Sequence, residues 1–532
     1  KWSALRVANT AFGASSFLVL EAVGATLLMA YGFDNAFWAI LATGLVIFLA
    51  GLPISVYAAR YGVDMDLLSR GAGFGYIGST VTSLIYASFT FIFFALEAAI
   101  MAYALELAFD IPPAWGYLLC ALVVIPLVTH GVTVISRLQV WTQPLWIVLM
   151  VVPYIYVLQR NPGLIDEFVQ FAGADGSAGG FDLQMFGAAM TVGIALITQM
   201  GEQADYLRFM PERTARNRLR WWAGVLIGGP GWVVPGVLKM LGGALLAYLA
   251  LSHAVPAERV VDPNQMYLAA YEYVFSNPGW AVAATALLVV ISQPKINVTN
   301  AYAGSLAWSN FFARLTHSHP GRVVWMVFNT LIALMLMELS VFQALGKVLG
   351  LYSNIAISWI MAVVADLVVN KPMGWSPKGI EFKRAHLYDI NPVGVGAMGL
   401  ASALSVVAYL GLLGEMAQAF SAVIALVTAF VAAPVIAWWT KGRYYLARSA
   451  EAATTNLGPH PVRAEVSKPS REPFDASGPS TGSGRTGVGE ERTGVGLLRC
   501  TVCERSYESE DMAYCPAYLG HICSLCCTLD AR

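Results

Sequence analysis

Residues 61–102 read YGVDMDLLSRGAGFGYIGSTVTSLIYASFTFIFFALEAAIMA. The first part is glycine-rich and carries Asp64, Asp66 and Arg70, whereas from Ile77 onward Glu97 is the single charged residue in an apolar run. A run of that length crosses about 30 Å of hydrocarbon, so the stretch predicts a loop followed by a membrane helix over 77–108. An acid at bilayer depth costs at least about 2.5 kcal/mol on insertion scales, which obliges Glu97 to have a partner or a task. The GAGFG at 71–75 precedes a membrane helix instead of joining a strand to a helix, so it is not a dinucleotide-binding fingerprint.

The same pattern recurs outward from this segment. The chain has 532 residues, 57% hydrophobic and 12% charged, with 15 Trp and a net charge of -1; its mean hydropathy is +0.61. That composition is of a membrane protein. Apolar blocks predict twelve membrane helices near 8–31, 35–59, 77–108, 114–130, 139–158, 184–207, 222–250, 276–308, 322–339, 343–369, 393–412 and 418–440. Arg60, Arg70, Arg137, Arg208, Arg213, Arg216, Arg218, Arg220, Arg314, Arg322, Lys371, Lys378, Lys383, Arg384, Lys441 and Arg443 fall beside one set of loops, and only Arg160 and Arg259 flank the other. The positive-inside rule then puts both termini in the cytoplasm. Three regions follow: a membrane domain over 1–445, a flexible linker over 446–499 rich in Ser, Gly, Pro and charge, and a Cys-rich module over 500–532. The chain starts at Lys1 and ends inside the cysteine cluster, so it is expected to be cut at both ends.

Glu21, Glu97, Lys239, Lys295 and Glu338 are the clearest ionisable residues in the apolar blocks. Helices interrupted by small residues can unwind and present free backbone groups to a ligand. TAFGASS around Gly13 and MGEQADY around Gly201 are such candidates, in the first and sixth helices, and their separation by five helices suggests two five-helix repeats. No nucleophile, base and orienting group are set out as an enzyme would need, so the membrane portion is not expected to be an enzyme.

Four stretches together carry a family resemblance: the one quoted above, GEQADYLRFMPE (201–212), NAYAGSLAWSN (300–310), and SNIAISWIMAVVADLVVNK (353–371) followed by HLYDINPVGVGAM (386–398). In order and spacing they resemble the nucleobase:cation symporter family of purine, cytosine, allantoin and hydantoin permeases, over most of residues 10–440. The resemblance implies an all-α membrane protein of the leucine-transporter type, with ten helices in two inverted repeats plus two more. It also implies a substrate site near the membrane centre between helices one, three, six and eight, at the Gly13 break. Carried over by position, Phe93 would stack on a flat heterocycle and Glu97 would stand where relatives commonly keep a neutral Gln. Gln199 would reach a midplane ligand, while Asp205 and Arg208 would form a helix-end salt bridge and gate. Asn297 and Asn300, three apart on one helix face, would read the N–H and C=O edge of the substrate. Sodium-coupled relatives place hydroxyls just before the first asparagine; here Lys295 and Ile296 stand there, so Lys295 reads as a built-in surrogate for the cation and Na⁺ is expected not to be required. Pairing of Lys295 with Glu21 or Glu97 for structure alone is the alternative.

The tail, CTVCERSYESEDMAYCPAYLGHICSLCCTLDAR (500–532), holds six of the seven cysteines. Cys500 with Cys503 and Cys523 with Cys526 form two C-x-x-C knuckles at a spacing that suits tetrahedral zinc. An iron–sulfur cluster or unliganded thiols are the alternatives. The tail also resembles the cysteine-rich linker of bacterial fusions in which a permease of this family precedes a histidine kinase. Two functions are therefore expected. The first is a bacterial inner-membrane carrier of a small nucleobase-like or hydantoin/allantoin-like heterocycle; the alternative is a transporter-derived receptor signalling to cytoplasmic modules. Nothing points to nucleic acid.

Overall fold

The computed structural model describes residues 2–129, 132–316 and 321–447, and, between 497 and 526, all but 503, 505, 510, 511, 516, 517, 524 and 525. Most of the expected linker and Cys503 thus lie outside the described residues.

Each predicted membrane span coincides with a helical segment. Among the described residues nine helices are long and apolar enough to cross a membrane, and two shorter apolar ones, α5 (Pro113–Thr129) and α14 (Arg322–Glu338), lie between them in sequence. The first span is broken. Its opening half, α1 (Ala4–Gly13), is capped by the Ser3 hydroxyl, passes into a 3₁₀ turn at Ala14–Ser16, and gives way to extended backbone at Phe17 (φ -61°, ψ 134°). The second half opens α2 (Val19–Tyr61), which turns back at Gly32 (φ 69°, ψ 174°) to become the second span. A Cβ at Gly32 would lie 2.7 Å from the Ala178 carbonyl oxygen, so this left-handed corner requires glycine.

After a loop containing α3 (Met65–Ser69) come α4 (Ser79–Phe109), α5 and α6 (Val132–Arg160) as spans three to five. A short surface helix, α7 (Leu164–Val169), leads to the sixth span, which is again interrupted: α8 (Leu183–Gly193), a 3₁₀ segment at Ile194–Thr198, then α9 (Gln199–Leu207). The interruption falls before Gly201, not at it. Gly201 lies inside α9, and a Cβ there would meet the Tyr86 ring at 2.7 Å, so that glycine serves packing. Span seven is α10 (Arg218–Gly228) continued by α11 (Val233–Ser252), and α12 (Pro263–Tyr271) links it to the long eighth span, α13 (Pro278–Thr316). Spans nine to twelve are α14, α15 (Leu345–Ala365), α16 (Pro392–Tyr409) and, after the short α17 (Glu415–Ala419), α18 (Ser421–Thr440).

The most extensive packing is between α4 and α13 and between α2 and α11. The second pair touches backbone to backbone, because a Cβ at Gly24 would lie 1.8 Å from the Met240 carbonyl oxygen and one at Gly243 would lie 2.3 Å from the Glu21 Cα. Small residues are the general means by which membrane helices approach so closely. On the face that carries the termini, Tyr76 and Gly78 amides donate to the Tyr388 and Asp389 carbonyls, and the Asn391 amide donates to the Phe74 carbonyl. Two of the sequence stretches that carry the resemblance are thereby joined. In the tail, β1 (Leu497–Arg499) pairs with β2 (Ser506–Glu508), and β3 (Met512–Cys515) pairs with β4 (Gly520–Cys523), both antiparallel.

Candidate ligand and cation site

The interruption of the first span frees backbone groups that side chains from three other spans satisfy. The Ser16 hydroxyl donates to the Ser292 carbonyl at 3.3 Å and the Ser292 hydroxyl donates to the Ser16 carbonyl at 2.5 Å, joining the break to α13. The Glu97 carboxylate, fully buried on α4, accepts the amides of Leu18 (3.1 Å) and Val19 (3.3 Å) and so caps the start of α2. An anion at a helix N-terminus is favoured by the unpaired N–H groups and the helix dipole together. On the opposite side, the Lys239 ammonium from α11 donates to the carbonyls of Ser15 (3.2 Å) and Phe17 (2.5 Å) and pairs with Glu21 at 3.4 Å. The other Glu21 oxygen accepts from the Tyr267 hydroxyl at 3.1 Å.

Lys295 is placed differently from the sequence expectation. Its ammonium donates to Gln143 Oε1 at 2.8 Å and lies 5.1 Å from the centre of the Trp146 ring, on α6. Lys239 approaches the same indole at 5.5 Å. Trp146 thus stands beside two ammonium groups, and the one on the carbonyls of the break belongs to span seven. The physical reason is reach: Lys295 follows Pro294 on the side of α13 that faces α6, whereas the glycine contacts of α11 bring Lys239 directly over residues 15–17. Gly13 also differs from its expected part, since a Cβ there would meet Gln139 Oε1 at 2.6 Å. It lets α6 approach α1.

One helical turn beyond Lys295, Asn300 Nδ2 donates to Asn297 Oδ1 at 3.4 Å, while Asn297 Nδ2 and Asn300 Oδ1 are buried with no partner. One donor and one acceptor are therefore left over on adjacent amides. Gln203 on α9 has both amide atoms buried and unpaired, as is one Glu202 oxygen. Gln199 is held by Glu202, to which it donates at 2.7 Å. Phe93 on α4 is buried and packs on Phe89 with ring centres 4.3 Å apart.

On the terminal face Asp205 and Arg208, expected as a salt bridge with each other, are each bonded to groups of other elements. Arg208 donates to Asp64 at 3.0 Å and to the Tyr302 hydroxyl at 2.7 Å. Asp205 accepts the Tyr86 hydroxyl (2.8 Å) and the Met65 amide (3.3 Å). Arg314 at the end of α13 pairs with Asp66 and donates to Ser79 at 2.5 Å, and Arg70 pairs with Asp66 at 3.3 Å. The loop after span two is thereby bolted to spans six and eight. Asp64, Asp66 and Arg314 were not singled out as gate residues from sequence, although both acids stand in the stretch that opens the reading. On the opposite face a cavity of about 610 Å³ opens among Thr26, Tyr31, Gln184, Thr191, Lys347 and Tyr409. It runs between the outer halves of the two broken spans and α15.

In the tail the thiols of Cys500, Cys523 and Cys526 are buried and lie within 4.8 Å of one another. The Cys523 amide donates to Cys500 Sγ at 3.4 Å, an arrangement suited to holding a thiolate. Cys503 lies outside the described residues, so three of the four expected ligands are seen to converge.

Two broken spans five apart, buried polar groups gathered at the breaks, and a cavity on one face opposite a bolted other face define a membrane carrier of the alternating-access class. Comparison with known proteins supplies the family. The family model described as permease for cytosine/purines, uracil, thiamine and allantoin matches residues 1–374, and the chain belongs to that family. Mhp1, a transporter of the nucleobase-cation-symport-1 family in a closed conformation with bromovinylhydantoin bound, superposes with a TM-score of 0.63 at 14% identity, over 86% of this chain and 96% of its own. The inward-facing conformation of Mhp1 gives 0.61 at 15% identity, over 87% and 96%. A Na⁺-coupled sialic acid symporter in a substrate-bound outward-open state gives 0.51 at 14%, over 82% and 90%. No curated protein matches the chain. These likenesses bear out the fold read from the sequence, a leucine-transporter-type bundle with two additional spans.

Proposed function

We propose that this permease carries a flat, uncharged nucleobase-like or hydantoin/allantoin-like heterocycle across a bacterial inner membrane, both termini cytoplasmic, without a requirement for Na⁺. The observation that carries the reading is the Asn297–Asn300 pair, whose spare Nδ2 donor and Oδ1 acceptor match a lactam or ureide edge. A buried amide atom left unpaired costs about 1–3 kcal/mol, which a ligand edge would recover. Phe93 supplies an apolar face for a ring, and Gly13 lets α6 pack against α1 at the break. Gln199 and Glu97 contribute through what they hold, Glu202 and the start of α2, and the commitment of Glu97 to two backbone amides disfavours an anionic ligand. Asp205 and Arg208 act within the inner gate. The hydantoin-bound state of Mhp1 agrees with this ligand class. Independence from Na⁺ is the sharper claim, since a Na⁺-coupled symporter shares the fold.

Uptake of labelled uracil, allantoin and hydantoin into vesicles containing the purified chain, measured beside equilibrium binding, tests the reading. Accumulation of one of them in Na⁺-free buffer is expected. Binding without accumulation favours the second reading, a receptor that reports ligand state to cytoplasmic signalling modules. That reading draws support from the tail, where zinc would be held by Cys500, Cys503, Cys523 and Cys526. It also draws on Tyr445, which donates to Asp366 at the inner end of span ten just before the linker.

A further inference from the structure

The break in the first span has carbonyls on one side and amides on the other, and both are neutralised by the protein itself. Ser15 and Phe17 present their oxygens to the Lys239 ammonium, Ser16 to the Ser292 hydroxyl, and Leu18 and Val19 present their N–H groups to Glu97. In broken-helix carriers, unwound carbonyls are where a mobile cation binds. We propose that Lys239 is a resident cation of this carrier: its ammonium occupies the carbonyl cradle at residues 15–17 and supplies permanently the charge that a bulk monovalent ion would otherwise bring.

Three further observations support the assignment. The ammonium has a full counter-charge, Glu21 at 3.4 Å, which is itself held by Tyr267. Two aromatic faces flank it, with Phe17 at 5.7 Å and Trp146 at 5.5 Å from ring centre to Nζ. Such faces favour a desolvated cation. Finally, the position is built by backbone contact, because Gly24 against Met240 and Gly243 against Glu21 bring α11 onto α2 in the turn that follows Lys239. A lysine whose task was only to neutralise Glu21 would not need to place its remaining donors on two carbonyls of the break.

The inference rests on the carrier reading and refines its independence from Na⁺. It predicts that removing the side chain leaves an oxygen-lined cradle, made of the Ser15 and Phe17 carbonyls and the Glu21 carboxylate, of the kind that hard cations select. The purified full chain is tested by its thermal unfolding midpoint in NaCl, KCl and choline chloride at equal ionic strength. The wild type is expected to show one midpoint in all three salts. Lys239→Ala is expected to unfold at lower temperature and to regain at least about 3 °C saturably in Na⁺ or K⁺ but not in choline. A saturable Na⁺ shift in the wild type overturns the proposal, as does a Lys239→Ala protein indifferent to every small cation. Should Lys239→Ala not be isolable, the wild-type titration still decides, together with Lys239→Gln, whose neutral amide is expected to restore folding and a saturable cation response. Heterocycle binding to the wild type is measured separately, so that failure of the proposed ligand class leaves the cation result readable.

Discussion

Two lysines stand in apolar runs near the middle of the bundle, and their neighbours separate their tasks. Lys295→Met is expected to leave Gln143 Oε1 without its donor, at a cost of about 1–3 kcal/mol, and to lower the unfolding midpoint equally in NaCl and choline chloride. A new Na⁺ dependence in that variant would return the cation role to Lys295. Asn297→Ala and Asn300→Ala are each expected to weaken binding of the transported heterocycle about 5- to 100-fold by equilibrium binding, because the ligand edge then goes unpaired. Unchanged affinity in both would remove the pair from the site. That Asn297 and Asn300 meet was legible in the sequence, since residues at i and i+3 share a face whatever the helix packs against. The partner of Lys295 was not, because Gln143 lies 152 positions away along the chain and helix periodicity says nothing about which face of α6 would meet it.

At the scale of elements, the break in span one depends on how α11 lies against α2. Gly243→Ala would place a methyl 2.3 Å from the Glu21 Cα, and neither backbone can yield without parting the helices. Overpacking of that kind costs about 1–3 kcal/mol or more, so the variant is expected to show a lower midpoint and reduced recovery in gel filtration. Gly399→Ala on α16, with nothing within 4 Å of the added carbon, is the matched control and is expected to be neutral. The interruption at Ala14–Ser16 was readable from TAFGASS, where small residues and serines compete with the helix for backbone hydrogen bonds. In span six the signal misled: Gly201 is a packing glycine, and the 3₁₀ segment falls at Ile194–Thr198, which carries neither Gly nor Pro. Gly193 immediately precedes that segment, which packs against α15.

For the whole molecule, the bolted terminal face and the open cavity on the other describe a carrier closed on one side. The tail is a separate unit in sequence, and its chemistry is separable by experiment. Adding a strong chelator to the full chain is expected to remove about one zinc per chain by metal analysis and to expose thiols to alkylation, while vesicle uptake persists if transport is the function. Uptake lost in step with zinc would instead tie the tail to the carrier. By itself the sequence determined the membrane class, the twelve spans and the cysteine cluster, since hydropathy and knuckle spacing are local properties that any packing must respect, and the resemblance of its four stretches gave the family. Only the tertiary structure decided which ammonium meets the broken helix, which groups Glu97 and Gly13 meet, and how the loop after span two is tied down. Each of those depends on side chains from distant spans meeting at one depth in the bilayer, and that is set by close backbone contact between helices, not by the residues of either helix alone.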